Sequence, residues 1–339
     1  MKPSFHAAVV NGPFRDPCVH IRIIRENRAM LFDIGDIGAL SPGNLLNVTD
    51  VFVSHTHIDH FIGFDMLLRT VLRREVPLKI FGPANIISCV EGKLKGYTWN
   101  LIRDYPLEIE VFEVKGLRLS HASFHALRSF QRVDNADREF NGSLITEPLL
   151  TIKGVELSHQ IPVMAYALEE QFHINIDKAV LEKRGLPVGP WLSAFKQAIR
   201  AGCPGSTLLE VSGHKYSMAE LMDIARLTRG QKISYVTDIA PTDDNMEKVV
   251  KFVGGSDVLF CEAYFLERDR DRAYERHHLT AALAGRIAGE AQAGNLEIMH
   301  FSPKYTHCMD EIYVEAMREF RKYKEPGGSE NWRAGRLEG

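Results

Sequence analysis

The stretch "VFVSHTHIDHF", residues 51–61, places three histidines and one aspartate within six positions directly behind an apolar run. The run "DVFVS" (50–54) has the composition of a buried strand, and Phe61, Phe64, Leu67, Leu68, Val71 and Leu72 then recur at helical spacing, predicting a helix over 60–74. Buried imidazoles and carboxylates are costly to hold unless something pairs with them. The stretch therefore reads as one wall of a binding cage whose other walls lie elsewhere in the chain.

Three more polar residues stand in the same relation to an apolar run. "GVELS" (154–158) is followed by His159, "KISYVT" (232–237) by Asp238 and "LEIM" (296–299) by His300. Ligands of α/β proteins gather beyond the carboxyl ends of strands, where the loops open. Together with His55, His57, Asp59 and His60 this makes seven candidate ligands, too many for one tetrahedral ion. Two ions roughly 3.5–4 Å apart, sharing a carboxylate, would use them all. The all-N/O donor set suits zinc and also manganese or iron.

Further strands are expected at 18–25, 29–35, 78–82, 107–114 and 257–263, and helices at 84–95, 217–229, 243–253, 278–293 and 309–323. Alternation of short strands with amphipathic helices predicts an α/β protein of layered type. One domain over 1–325 is expected, with an extra charged segment at about 115–150, an arm at about 169–215 broken by Gly and Pro, and a polar tail over 326–339.

A chain of 339 residues with 45% apolar and 25% charged residues can bury a sizeable core, and its net charge of −3 provides no global attraction for nucleic acid or an anionic membrane. The five cysteines are scattered without C-x-x-C spacing, which argues for a reducing compartment. No apolar stretch is long enough for a signal peptide or a membrane span, so a cytoplasmic protein without a membrane partner is expected.

"SHTHIDH" resembles the H-x-H-x-D-H signature of the metallo-β-lactamase superfamily. Within it the chain looks most like ribonuclease Z, the tRNA 3'-processing endonuclease: "FGPANI", "YPLEIEV", "HQIPVMAY", "GLPVGPWLSAFK", "VTDIAP", "CEAYF", "HHLTA" and "HFSPKY" follow in that family's order from about Leu31 to Tyr305. The resemblance implies an αββα four-layer sandwich holding two zinc ions. His55, His57 and His159 would hold the first, Asp59, His60 and His300 the second, and Asp238 would bridge them. It also implies that Asp59 accepts the attacking water's proton and that His278, oriented by Glu262, is the general acid, with His277 its adjacent rival. His121 and His125 are the rivals of His159.

The segment around "GLPVGP" resembles an arm that grips tRNA, with Lys183, Arg184, Gly189, Pro190 and Lys196 as substrate contacts and Lys304 as a further one. Arms of this kind imply a homodimer with precursor tRNA as substrate. Two departures touch the substrate's surroundings: "AYALEE" replaces the family's Gly-Tyr-Arg, and Lys304 stands where Arg is usual. The alternatives are a small-molecule hydrolase on the same fold, such as a cyclic-nucleotide phosphodiesterase or lactonase, and a non-catalytic RNA-binding member.

Overall fold

Strands in which both alternating sets of side chains are apolar must be covered on both faces. The computed structural model, which describes residues 4–323 except 25 and 103, shows how this is met. The first sheet contains β1 (Phe5–Val9), β2 (Val19–Ile23), β3 (Ala29–Phe32), β4 (Val48–Phe52), β5 (Leu78–Pro83), β6 (Glu108–Lys115), β7 (Arg118–His125) and β8 (Arg132–Asp134) in spatial order, with β9 (Arg138–Glu139) also pairing with β7. Strands β3 to β6 are parallel. The chain then forms β10 (Ser143–Thr146), β11 (Leu150–Ser158) and β12 (Pro162–Glu170) of the second sheet. It leaves that sheet through β13 (His173–Ile176), β14 (Leu208–Val211), β15 (His214–Ser217) and β16 (Ala225–Thr228). It returns as β17 (Lys232–Val236), β18 (Val258–Glu262) and β19 (Asn295–Met299), giving the order β10-β11-β12-β17-β18-β19.

The register explains the layering. Leu31, Val51, Ile80 and Val111 are aligned across β3–β6 and pack with the helices Pro42–Leu46, Phe64–Val71 and Ile86–Lys95. Their chain neighbours Phe32, Phe52, Phe81 and Phe112 are aligned on the opposite face, with ring centroids 5.6, 4.9 and 4.7 Å apart along the ladder. These phenylalanines meet Ile152, Tyr166, Ile233, Tyr235 and Phe260 of the second sheet. The outer face of that sheet, with Val236, Leu259, Cys261 and Ile298, is covered by the helices Asp243–Val253, Ala281–Glu290 and Met309–Tyr323. The result is the expected αββα sandwich.

Several expected elements take a different form. The helix expected over 60–74 is two helices, Ile58–Phe61 and Phe64–Val71, divided near Gly63, where a Cβ would lie 2.5 Å from the Gly35 carbonyl oxygen. Residues 217–229 are not one helix: a capping box between Ser217 and Glu220 starts a single turn, Met218–Leu221, and Ala225–Thr228 then becomes β16 because it pairs with β13. Tertiary pairing overrides local propensity there. Residues 115–150, expected as an extra segment, supply β7 to β10, and Leu119, Ala122 and Phe124 of β7 are buried in the first sheet.

The excursion between β12 and β17 has its own small core of Leu181, Leu186, Phe195, Val211, Met218, Leu221 and Ile224. It begins and ends in the β13–β16 ribbon, so it is longer than the 169–215 expected. Among the described residues no helix is long and apolar enough to cross a membrane. The polar tail 326–339 lies outside the described residues.

Candidate metal centre

The seven candidate ligands follow four strands drawn from both sheets. His55, His57, Asp59 and His60 follow β4, His159 follows β11, Asp238 follows β17 and His300 follows β19. Asp33 after β3, Asp238 and His300 adopt left-handed backbone, with φ of 55, 50 and 55°. For non-glycine residues this costs on the order of 1–3 kcal/mol each and concentrates at functional sites.

Asp238 lies at the centre. Its Oδ2 is 3.3 Å from His60 Nε2, 3.5 Å from His55 Nε2 and 3.9 Å from His159 Nε2, and its Oδ1 is 2.7 Å from His300 Nδ1. Asp59 Oδ2 is 3.5 Å from His60 Nε2 and 3.4 Å from His300 Nε2. The atoms divide into groups of metal-ligand spacing: His55, His57, His159 and Asp238 form one, Asp59, His60 and His300 another, and in each the donor atoms lie within 4.8 Å of one another. A third such group joins Asp238, Glu262, His278 and His300. These residues fit divalent cations on a direct observation: the buried nitrogens His60 Nε2 and His300 Nδ1 face Asp238 oxygens at 3.3 and 2.7 Å, yet neither contact has hydrogen-bond geometry. Buried polar atoms without partners are rare unless an ion or water completes them.

Protonation differs across the cage. Burial, reinforced by the neighbouring His60, pushes His55 down to about 2, so it presents a neutral imidazole. Burial also lowers His159. For His300 burial acts in the same sense, but the Asp238 carboxylate outweighs it and holds the ring at about 10. His60 is likewise raised, against burial, by Asp238 and Asp33. The carboxylates thus favour protons on the His60 and His300 rings.

Outer contacts fix the rings. Asp33 Oδ2 is 2.7 Å from His60 Nδ1 and accepts from Tyr235 OH at 2.6 Å and Ser54 Oγ at 2.7 Å, while Oδ1 accepts from the Ser54 N–H at 2.5 Å. His159 Nδ1 donates to the His277 carbonyl at 2.7 Å, which directs Nε2 towards Asp238. Such contacts set which nitrogen faces the cation.

The neighbouring histidines separate cleanly. His278 Nδ1 lies 2.9 Å from Glu262 Oε2, and Glu262 Oε1 accepts from the Ile239 N–H at 2.8 Å. Glu262 is fully buried and its partner is this imidazole rather than an arginine. Burial alone would lower His278, but the Glu262 carboxylate raises it. His277 turns away in left-handed backbone, with its ring against Gln160. His121 and His125 sit on β7 beside Glu110 and Glu108 and join none of the groups.

Lys304 pairs with Asp269 at 2.6 Å, and Arg184 with Asp223 at 2.5 Å. Gly189 and Pro190 lie in the turn before the helix Trp191–Arg200, closed by Trp191 Nε1 donating to the Pro187 carbonyl at 2.8 Å. Lys183 is exposed and Lys196 half-buried. Sequence reasoning passed over Tyr235, Gln160 and Tyr264, which touch Asp33, His277 and His278 respectively.

No family model matches the chain. It is 28% identical over 306 residues to "Ribonuclease Z" of Deinococcus radiodurans, covering 88% of this chain and 90% of that one. Human tRNase Z, short form, matches in structure with a TM-score of 0.53 at 17% identity, covering 88% of this chain and 93% of that one. The metallo-beta-lactamase fold protein YhfI of Bacillus subtilis matches with a TM-score of 0.54 at 16% identity, over 94% of each chain. Fold and site together define a protein of the metallo-β-lactamase fold with a His/Asp cluster suited to divalent metal. Within that fold the chain is similar over most of its length to curated proteins named ribonuclease Z.

Proposed function

We propose that the protein is a metal-dependent endoribonuclease that removes 3' trailers from precursor tRNA and leaves a 3'-hydroxyl. The observation that carries this is the conjunction of the carboxylate-centred histidine cage with the Glu262–His278 pair at its side. The relatives named ribonuclease Z support the same reading.

His55, His57 and His159 would hold one ion and Asp59, His60 and His300 a second, with Asp238 shared. Zinc is the first candidate, and manganese or iron is compatible with the donors. Bound ions would supply Lewis acidity, offsetting charge on the phosphate and lowering the pKa of the attacking water. The chain's own groups do the rest. Asp59 accepts the water's proton. His278 donates a proton to the departing 3'-oxygen as the P–O bond breaks, and Glu262 keeps that proton on the imidazole near neutrality. The arm would hold the body of the tRNA through Lys183, Arg184, Gly189, Pro190 and Lys196, in a homodimer working in the cytoplasm, and Lys304 would contact RNA nearer the cage.

Incubating the purified protein with a precursor tRNA, with and without chelator, tests this directly. Cleavage at the trailer junction that chelator abolishes and Zn, Mn or Co restores is expected. Absence of RNA cleavage with all three, alongside hydrolysis of small diesters or lactones, would favour a small-molecule hydrolase.

A further inference from the structure

Beyond Glu262, a second side chain holds His278. The Tyr264 ring lies parallel to the His278 imidazole, with centroids 4.0 Å apart and planes 10° from each other. The rings of His159 and His300 are 4.9 and 5.9 Å from the same imidazole. The backbone explains the stack. Past the end of β18 the chain runs beside the segment entering the helix Ala281–Glu290, through a parallel bridge between Phe265 and Thr280. Phe265 N donates to the Leu279 carbonyl at 3.2 Å and Ala281 N to the Phe265 carbonyl at 2.7 Å. Residues two apart in extended chain project to the same side. Glu262 and Tyr264 thus reach one imidazole together, the first at its Nδ1 edge and the second across its face, while Ala263 between them is buried in the outer core. With Nδ1 engaged by Glu262, Nε2 is the nitrogen left for a leaving group.

We infer that Tyr264 is a positioning residue for proton donation, fixing the plane of the His278 ring so that its proton meets the departing oxygen. This rests on the reading of His278 as the general acid. A hydrogen bond at one nitrogen still lets an imidazole tilt about that bond, and a parallel ring removes the freedom. Aromatic pairing of this kind favours a defined geometry beyond simple burial.

The test uses the full, metal-loaded chain and two substrates whose leaving groups differ in their need for a proton. Precursor tRNA expels a ribose oxygen, and bis-p-nitrophenyl phosphate expels a phenolate that leaves unaided. Tyr264→Leu keeps an apolar side chain but no plane. It is expected to lower kcat on RNA by about tenfold or more, short of the roughly 10²–10⁴-fold that general acid catalysis supplies in full. Its KM, its metal content and its diester rate are expected to stay within about twofold of the parent. Tyr264→Phe should retain the RNA rate, and His278→Ala should show the same split as Tyr264→Leu, more deeply. Tyr264→Leu that matches the parent on RNA while His278→Ala shows the split overturns the assignment of Tyr264 alone. Tyr264→Leu that loses metal, or loses both substrates equally, makes the tyrosine a support of the cage and also overturns it. If His278→Ala itself shows no split, the general-acid reading fails and this inference with it.

Discussion

Asp33 and His60, both inaccessible to solvent, meet at 2.7 Å between carboxylate Oδ2 and imidazole Nδ1. The contact reserves His60 Nε2 for the cage, where it lies within 3.5 Å of both Asp59 and Asp238. Asp33→Asn keeps the side chain's shape and tolerates the left-handed backbone at φ 55°. It is expected to weaken metal affinity by roughly 10–100-fold, the usual effect of losing such an outer partner. Competition titration against a chelator measures it.

Ion entry must displace the protons that the carboxylates keep on His60 and His300. The Asp238 carboxylate holds His300 at about 10, against burial and above its ordinary 6.5. A raised histidine adds stability that is complete below its unfolded value and is lost as pH climbs through the folded value. The metal-free protein should therefore lose this contribution between pH 6.5 and about 10, while metal affinity grows over the same range. The difference in Tm between loaded and metal-free protein is expected to widen from pH 6 to 9. Calorimetry in buffers of different ionisation enthalpy should record proton release on metal binding.

The arm's core shares no residue with the three clusters of the sandwich. Replacing residues 178–224 by a short Gly/Ser turn on the β13–β16 ribbon should leave bis-p-nitrophenyl phosphate hydrolysis within about twofold and reduce cleavage of precursor tRNA by tenfold or more, an estimate of one to two lost phosphate contacts' worth of binding. Equal RNA cleavage by both proteins would remove the arm from substrate recognition.

Phe81 sits in the ladder between Phe52 and Phe112 and is 1% exposed. Phe81→Ala should cost about 3–5 kcal/mol of stability, through lost burial and the cavity left behind. Denaturant unfolding reads the loss, and metal stoichiometry at low temperature should not change.

The sandwich and its cage were legible in the sequence because their signals are local. His55, His57, Asp59 and His60 are adjacent, and His159, Asp238 and His300 each announce themselves behind an apolar run. What the sequence hid depends on partners distant in the chain. Ala225–Thr228 carries helix-compatible residues and becomes a strand only because β13 lies beside it. The charged residues of 115–150 concealed β7, whose Leu119, Ala122 and Phe124 face the interior. Lys304 and Arg184 carry no local sign of the carboxylates beside them, Asp269 and Asp223, which lie 35 or more residues away in the chain. The resemblance favours His278 over His277 from the sequence; the left-handed backbone at His277, φ 59°, is visible only in the structure.

The strands that bracket the arm, β12 and β17, are antiparallel neighbours paired from Tyr166 with Tyr235 to Glu169 with Lys232. Departure and return are thus side by side, and whatever is spliced between them leaves every rung of the sheet in place. Such a junction allows the excursion to be lengthened, shortened or exchanged while the His/Asp cage keeps its geometry, so what the protein meets can be altered by changing a single stretch of chain.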